Sequence, residues 1–264
     1  MGFSLKKAQM EAVGFLPAAW RGAWLILLAL LAVSVAAPYA LKFAPVAVAA
    51  GGLLALLWAL KLMALGALYR LALFGRTARA EGLGFGGVQT GRSEGRLLIA
   101  QIALILFLWL IAATLATVFM LAFNLSHLGD GYIDTVSAVS AVFERRQGLD
   151  WAFVVYAALA VFLLVVLSVR LSLMYAASVA ERRIVTLNAL SLSEGAGLKL
   201  LIGTVIVLLP LALAMGLVHV LRGVAHPAAA LHAVLCAAAI LLVLPLSAGF
   251  FASAYRQIRD NRAK

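Results

Sequence analysis

Lys61 stands well inside a long apolar stretch of the sequence, where a charged side chain is costly. An unrelieved lysine at the centre of a membrane helix costs about 3 kcal/mol on insertion scales. No Asp or Glu occurs in any of the long apolar stretches, so its partner would be a backbone carbonyl, Gln101, water or an anionic ligand. Lys61 and Gln101 are therefore the candidate ligand or polar site. The alternative is that Lys61 reaches the membrane surface from a tilted or shifted helix.

Three histidines, His219, His226 and His232, lie around a short connection near the end of the chain. A zinc site needs three or four convergent ligands, and no carboxylate lies near these histidines in the sequence. We interpret them as residues of the membrane interface and expect no metal. The single cysteine, Cys236, is interpreted as a small packing residue.

The usual signatures of catalysis are missing from the sequence. The apolar stretches hold no pair of carboxylates for acid–base chemistry or proton relay. The glycines at 82, 84, 86 and 87 lack the lysine that a phosphate-binding loop requires, and they are interpreted as a flexible linker. We therefore expect no enzyme activity and no cofactor.

The composition indicates an integral membrane protein. Of the 264 residues, 66% are hydrophobic and 12% are charged, whereas soluble domains have about half and about a quarter. Six apolar stretches reach the roughly 20 residues that a membrane-spanning helix needs. The predicted fold is an all-α polytopic membrane bundle, a single integral membrane domain over 1–264. Its six spans are placed near 23–41, 47–69, 98–123, 151–174, 200–221 and 228–252.

The distribution of Lys and Arg predicts an orientation for the six spans. With the N-terminus inside, sixteen of the 21 basic residues are cytoplasmic, four are on the opposite side and Lys61 lies within a span. This excess follows the positive-inside rule and places both termini in the cytoplasm. The segment 124–150 becomes a periplasmic loop. The net charge of +11 then favours the anionic lipid of the inner leaflet as a partner, and not nucleic acid.

Residues 1–22 are predicted to form a cytoplasmic amphipathic helix on the bilayer surface. Leu5, Ala8, Ala12 and Leu16 recur at helical spacing, and Pro17 is expected to break the helix before the first span. Basic side chains on this helix and at the span ends would contact lipid headgroups. The predicted contacts are Lys6, Lys7, Arg70 and Arg256.

The segments that precede spans one, three and five resemble one another, and each even-numbered span ends in an aromatic and basic cluster. These features suggest a threefold repeat of one amphipathic helix and two spans; the alternative is that all such span starts look alike. On span two, Gly51, Ala55 and Ala59 recur every four residues. Small residues at this spacing allow close helix contact, which we expect inside the bundle and not between two copies.

Three segments carry a resemblance to a known family. They are 250–256 (FFASAYR), 170–183 (RLSLMYAASVAERR) and 191–194 (SLSE). Together with the six-span pattern they resemble the membrane domain of bacterial glycerophosphoryl diester phosphodiesterases and related stand-alone inner-membrane proteins. The chain has no room for the catalytic domain, so no catalytic residue carries over. The resemblance implies a bacterial inner (plasma) membrane and work on lipids or the envelope.

Two functions fit this sequence. The first is a non-enzymatic inner-membrane accessory or scaffold protein of envelope or lipid homeostasis, with membrane lipids and a membrane protein as partners. The alternative is a small transporter or carrier of an anionic or lipid-like substrate, with Lys61 in the pathway. Few polar residues occur in the spans, which disfavours a hydrophilic substrate.

Overall fold

The computed structural model describes residues 3–43, 46–89, 91–125, 150–186, 188–221 and 228–262. These residues form helices and connecting loops, with no β-strand among them. Six helical segments in this part of the chain are long and apolar enough to cross a membrane, which confirms the predicted fold class. Residues 126–149 of the predicted outer loop lie outside the described residues.

Several helices are longer than the predicted spans, because they continue past the apolar stretches into polar sequence. The third begins at Arg92, and the last ends at Arg262 after a π-helical turn at its middle. In chain order they are α1 (Leu5–Phe43), α2 (Val46–Phe74), α3 (Arg92–Leu125), α4 (Asp150–Leu171), α5 (Leu173–Ala180), α6 (Asn188–Leu192), α7 (Gly197–Leu221), α8 (Ala228–Ala237), the π-helix (Ala238–Val243) and α9 (Leu244–Arg262).

The helix α1 joins the predicted amphipathic helix and the first span. The predicted break at Pro17 is wrong: the helix runs through this proline, and its backbone leaves helical geometry at Ala23 (φ −121°, ψ 20°). A proline inside a helix costs about 3 kcal/mol, so packing on both sides must hold the segment. Ala12, Ala19 and Ala23 are fully buried and supply that packing.

Residues 5–22, which we call the N-terminal arm, cross the ends of three other helices. Leu5 packs against Gly203 of α7, Ala12 against Gly249 of α9, and Leu71 of α2 covers Gly22. A side chain at any of these glycines would meet atoms at 3.1 Å or less. The apolar stripe of the arm therefore contacts protein, and Lys6 and Lys7 remain exposed on its other face.

Two side-chain contacts to backbone fasten the beginning of the arm to α7. Gln9 Nε2 donates to Gly203 O at 2.8 Å, and Lys199 Nζ donates to Phe3 O at 3.0 Å. The arm thus closes one end of the bundle. We call it the basic end, because most exposed cations of the described chain, among them Lys6, Lys7, Arg76, Arg79 and Arg182, gather there.

Most of the buried core also lies at the basic end. The short helix α5 is almost entirely buried and packs between α2, α3 and α9. In contrast, Phe119, Phe123 and Phe153 form a small separate cluster toward the other end. Between the two ends, large apolar side chains such as Leu110 and Leu213 face outward, as is typical of helices surrounded by lipid.

Candidate functional site at the basic end

A buried ion pair joins the end of α2 to the start of α3. Arg70 Nη2 lies 2.9 Å from Glu94 Oε1, and the two side chains are only 6% and 11% exposed. This is a close approach of charges without an aligned hydrogen bond to that oxygen. Arg70 also donates to Ser93 Oγ, and Ser93 Oγ donates to Glu94 Oε2 at 3.1 Å. Such a pair is costly to break, because either partner alone would be a buried charge.

A glycine makes room for this pair. Gly66 lies one helical turn before Arg70, and a Cβ atom there would approach Glu94 Oε1 to 2.8 Å and Leu97 Cδ1 to 3.5 Å. Any larger residue at this position would therefore have to displace the carboxylate. The burial of Glu94 depends on the absence of a side chain at Gly66.

The end of α4 makes a related contact with the segment before α7. Arg170 Nε donates to Ser193 Oγ at 2.8 Å, and its Nη2 donates to Leu190 O at 2.9 Å. We call the Arg70–Ser93 contact the first junction and the Arg170–Ser193 contact the second. In both junctions the arginine and the serine are 23 residues apart, and the second junction lies 100 residues after the first. The following glutamate differs, because Glu194 is exposed whereas the Glu94 side chain is only 11% exposed.

The end of α9 supplies a third arginine contact. Arg256 Nη2 donates to Glu11 Oε2 at 3.0 Å, which ties α9 to the N-terminal arm. Its Nη1 donates to Ala72 O at 3.0 Å. Thus spans two, four and six each end in an arginine that binds the polar segment before spans three, five and one. The contacts differ in detail, and a true threefold repeat remains a hypothesis.

Two glutamates that lie 100 residues apart, Glu81 and Glu181, connect the loops of the basic end. Arg182 Nη2 donates to both oxygens of Glu81 at 2.7 Å. Glu181 accepts from Arg183 Nε at 2.6 Å and from the Tyr255 hydroxyl at 3.0 Å. These contacts hold the loops after α2 and α5 against one another and against α9.

Two of the four residues predicted to contact lipid headgroups are engaged by glutamates of the chain. Arg70 is buried in the pair with Glu94, so it lies away from any lipid phosphate. Arg256 is 45% exposed but is engaged by Glu11. Lys6 and Lys7 are exposed, and Lys7 Nζ lies 4.0 Å from Glu11 Oε1. Of the four predicted residues, the two lysines retain the surface that a headgroup contact needs.

Lys61 and Gln101 are not brought together. Lys61 is exposed on the outer surface of α2, beside Leu54 and Trp58, and no hydrogen bond or ion pair joins its side chain to the described residues. Gln101 is buried on α3, and its Oε1 has no hydrogen-bond partner among the described residues. The same holds for Arg70 Nη1 and Gln89 Nε2 nearby. The unpartnered polar atoms thus cluster inside the basic end, and Lys61 lies outside it.

The small residues of α2 share the exposed surface with Lys61. Gly51, Ala55 and Ala59 are all exposed, and a Cβ atom at Gly51 would meet nothing within 4 Å. The expectation that they pack inside the bundle is wrong. The reason is that the buried face of α2 is formed by a different set, including Leu62, Leu65 and Leu68.

Of the three histidines, His226 lies outside the described residues. His219 is exposed, and His232 Nε2 lies 3.2 Å from Ser34 O and 3.4 Å from Cys236 Sγ. In the part of the chain that the structure describes, no three His, Cys, Asp or Glu side chains form a group that could hold a metal.

Sequence reasoning missed Ser93, Glu94 and Ser193 as junction residues. A signal for them exists: Arg-Leu-x-Leu begins at Arg70 and again at Arg170, and Ser-Glu-Gly begins at Ser93 and again at Ser193. The shared offset of 100 residues could have found both junctions. Gly66 carries no such signal, because position 166 holds a valine.

No protein-family model, curated protein or solved structure matches this chain significantly. The resemblance to phosphodiesterase membrane domains is therefore still a prediction. The fold defines the chain as a multi-pass α-helical membrane protein.

Proposed function

We propose that this protein is a non-enzymatic accessory or scaffold protein of a bacterial plasma membrane, with its basic end in the cytoplasm. Its task would be to bind a second membrane protein through the outer surface of α2. The observation that carries this proposal is the position of Lys61. It is exposed on a membrane-spanning helix and has no partner among the described residues.

The depth of Lys61 makes its exposure expensive without a partner. It lies 15 residues after Val46, at the start of α2, and nine before Arg70 of the basic end, or about 22 Å and about 13 Å at the helical rise. Charges at such depth usually pair with another membrane group or face water. A partner helix with an Asp or Glu at matching depth would supply the opposite charge.

The surface around Lys61 is suited to a close helix contact. Gly51, Ala55 and Ala59 form an exposed stripe on the same helix, with open space above Gly51. Small residues at four-residue spacing let two helix backbones approach, so that dispersion contacts and interhelical polar contacts accumulate. The stripe is about a third of a turn around α2 from Lys61, and Ala55 lines the same groove as Lys61. A partner that packs on the stripe beside this groove could therefore pair with Lys61.

The buried polar residues support a scaffold over a carrier. Among the described residues, the buried polar and charged side chains are Arg70, Gln89, Gln101, Ser178, Ser193 and Ser253. A carrier needs polar groups along a path across the membrane. These residues instead belong mainly to the junctions of the basic end, and Lys61 faces outward from the bundle.

The test is affinity purification of the chain from native membranes in mild detergent, with quantitative mass spectrometry. We expect one stoichiometric membrane protein that is lost with Lys61→Met and with Gly51→Leu but retained with Lys61→Arg. Gly216→Leu is the matched control, since Gly216 is also an exposed glycine of a span with open space above it. Removing the charge of one intramembrane Asp or Glu in the partner should have the same effect as Lys61→Met.

Three results would contradict the proposal. One is a monodisperse chain without any membrane-protein partner. Another is a partner whose amount does not change in either α2 variant. The third is self-association of the chain through α2, since two copies would bring Lys61 to a like charge. A small ligand that co-purifies and is lost with Lys61→Met would favour the carrier.

A further inference from the structure

A basic groove of about 770 Å³ opens at the basic end between α1, the end of α2 and the loop that follows. Arg21, Arg76 and Arg79 line it, and all three are exposed. Its walls include no Asp or Glu. Three cations around one groove without a counter-charge attract an anion.

These arginines differ from four other arginines of the basic end, which the chain itself engages. Arg70, Arg170, Arg182 and Arg256 each bind a carboxylate, a hydroxyl or a carbonyl of the chain. In contrast, the side chains of Arg76 and Arg79 have no hydrogen bond or ion pair among the described residues. Arg21 uses only its Nε, which donates to Pro17 O at 3.2 Å, so its two terminal nitrogens remain available.

The wall of the groove is held in place by two glycines. Gly86 (φ +62°) and Gly87 (φ +84°) lie in the left-handed region, which glycine adopts without strain. A Cβ atom at Gly86 would lie 2.5 Å from Leu25 Cβ, and one at Gly87 would lie 2.9 Å from Ala23 Cα. The loop therefore packs tightly on α1 near Ala23, where the helical geometry is interrupted. The segment that was predicted to be a flexible linker is thus packed against this helix.

An apolar groove of about 500 Å³ adjoins the basic one. Trp24 lines both, and Trp20, Leu27 and Leu28 of α1 face Leu241 and Leu242 of the π-helix. It extends from Trp20 to Leu28, about 12 Å at the helical rise, which is most of the depth of one leaflet. Trp20 Nε1 donates to Leu241 O at 2.8 Å, which fixes the π-helix against α1. Single π-helical turns are frequent at functional sites.

Aromatic residues lie where the two grooves meet. The Trp24 and Phe85 rings meet edge to face at 6.2 Å, and Phe85 is 79% exposed. Tryptophan favours the membrane interface, where its ring is apolar and its N–H is wet. A cationic groove at the membrane interface suits the phosphate of a phospholipid. The adjoining apolar groove, which runs along α1 toward the membrane interior, suits one of its acyl chains.

We propose that the two grooves together bind one anionic phospholipid. Its phosphate would lie among Arg21, Arg76 and Arg79, and one acyl chain would lie along Trp24, Leu28 and Leu241. Guanidinium groups suit this role because they bind phosphate oxygens with two parallel hydrogen bonds. The site is independent of the proposed partner surface, since Lys61 belongs to neither groove.

The proposal is tested by native mass spectrometry of the full chain in detergent, titrated with phosphatidylglycerol or phosphatidylcholine. The wild type should bind one phosphatidylglycerol in clear preference. Arg76→Gln with Arg79→Gln should weaken that binding about thirtyfold, at about 1 kcal/mol per basic residue. Arg92→Gln with Arg183→Gln is the matched control, and it should keep the preference because it removes two exposed charges that line neither groove.

Two further arms identify the source of the phosphate. Ala237→Trp fills the apolar groove and should weaken phosphatidylglycerol binding, while inorganic phosphate at millimolar concentration should not displace the lipid. Displacement by phosphate would show a site for a free anion and overturn the proposal. Equal binding of the two lipids, or an equal loss in the Arg92 and Arg183 control, would overturn it as well. All four substituted residues of the charge variants are exposed, so each variant is expected to fold.

Discussion

The junctions at Arg70 and Arg170 show how one sequence pattern leads to two different environments. Each arginine ends a span and binds a serine 23 residues later. Only the first junction buries the glutamate that follows the serine, and only that junction forms an ion pair. The shared pattern therefore sets the contact between helices, and neighbouring positions decide whether a charge enters the interior.

The positions of glycine explain the difference. In the first junction Gly66 on the span faces Glu94 and Leu97. At the equivalent positions of the second, the span has Val166 and the following helix has Gly197, where an added Cβ atom would lie 3.6 Å from Arg170 Cδ. The glycine is therefore on the span in the first junction and on the following helix in the second. Glu94 lies in the first turn of α3, whereas Glu194 lies in the turn before α7 and stays at the surface.

The largest effect that would test this comparison is expected from Glu94→Ala. It leaves Arg70 as a buried, unpaired charge, which should destabilise the protein by about 3–5 kcal/mol. The equivalent Glu194→Ala removes an exposed carboxylate and should change stability by less than about 0.5 kcal/mol. Denaturant unfolding in detergent micelles would compare the two, and equal effects would refute the distinction between the junctions.

A smaller effect is expected from Gly66→Val, which gives the first junction the residue of the second. The new side chain would displace Glu94, at a cost of about 1–3 kcal/mol from overpacking. In the Glu94→Ala background the same substitution should cost less, because its clash with the carboxylate is gone. A double-mutant cycle measures this coupling, and additive effects would show that Gly66 and Glu94 act independently.

The smallest effect is expected at the third arginine. Arg256 and Glu11 are half exposed, so Glu11→Gln should cost about 0–1 kcal/mol, and added salt should reduce that cost. The readout is the same unfolding measurement at low and high ionic strength. A loss as large as that of Glu94→Ala would mean that the arm depends on this ion pair more than on its buried alanines.

The sequence was informative wherever a rule depends on neighbours along the chain. Runs of apolar residues predicted six spans, and the stripe at Leu5, Ala8 and Ala12 predicted an amphipathic helix; the structure has both. The break at Pro17 was predicted wrongly, because the penalty for a proline is local whereas the packing that keeps α1 helical through Pro17 comes from α9 and α2. For the same reason, the residues of the candidate site could be predicted from the sequence only in part.

Lys61 and Arg70 illustrate this limit. The sequence marks both as cations near or inside apolar stretches, and nothing in the pattern indicates their surroundings. Tertiary structure places Arg70 in the interior with Glu94, and it places Lys61 on the outer surface of α2. Arg76 and Arg79, in an ordinary loop, become the walls of a groove with Arg21 only because that loop packs on α1.

What the sequence by itself determined is the class of the protein: a helical bundle of six membrane-length helices with most of its cations gathered at one end. Length, apolarity and helical spacing decide these features, because each acts through the solvent and through residues a few positions away. What only the tertiary structure decided is which of the cations are paired, buried or free. That depends on contacts between residues as distant as Glu11 and Arg256, and the energy of a charge is set by whatever surrounds it in space.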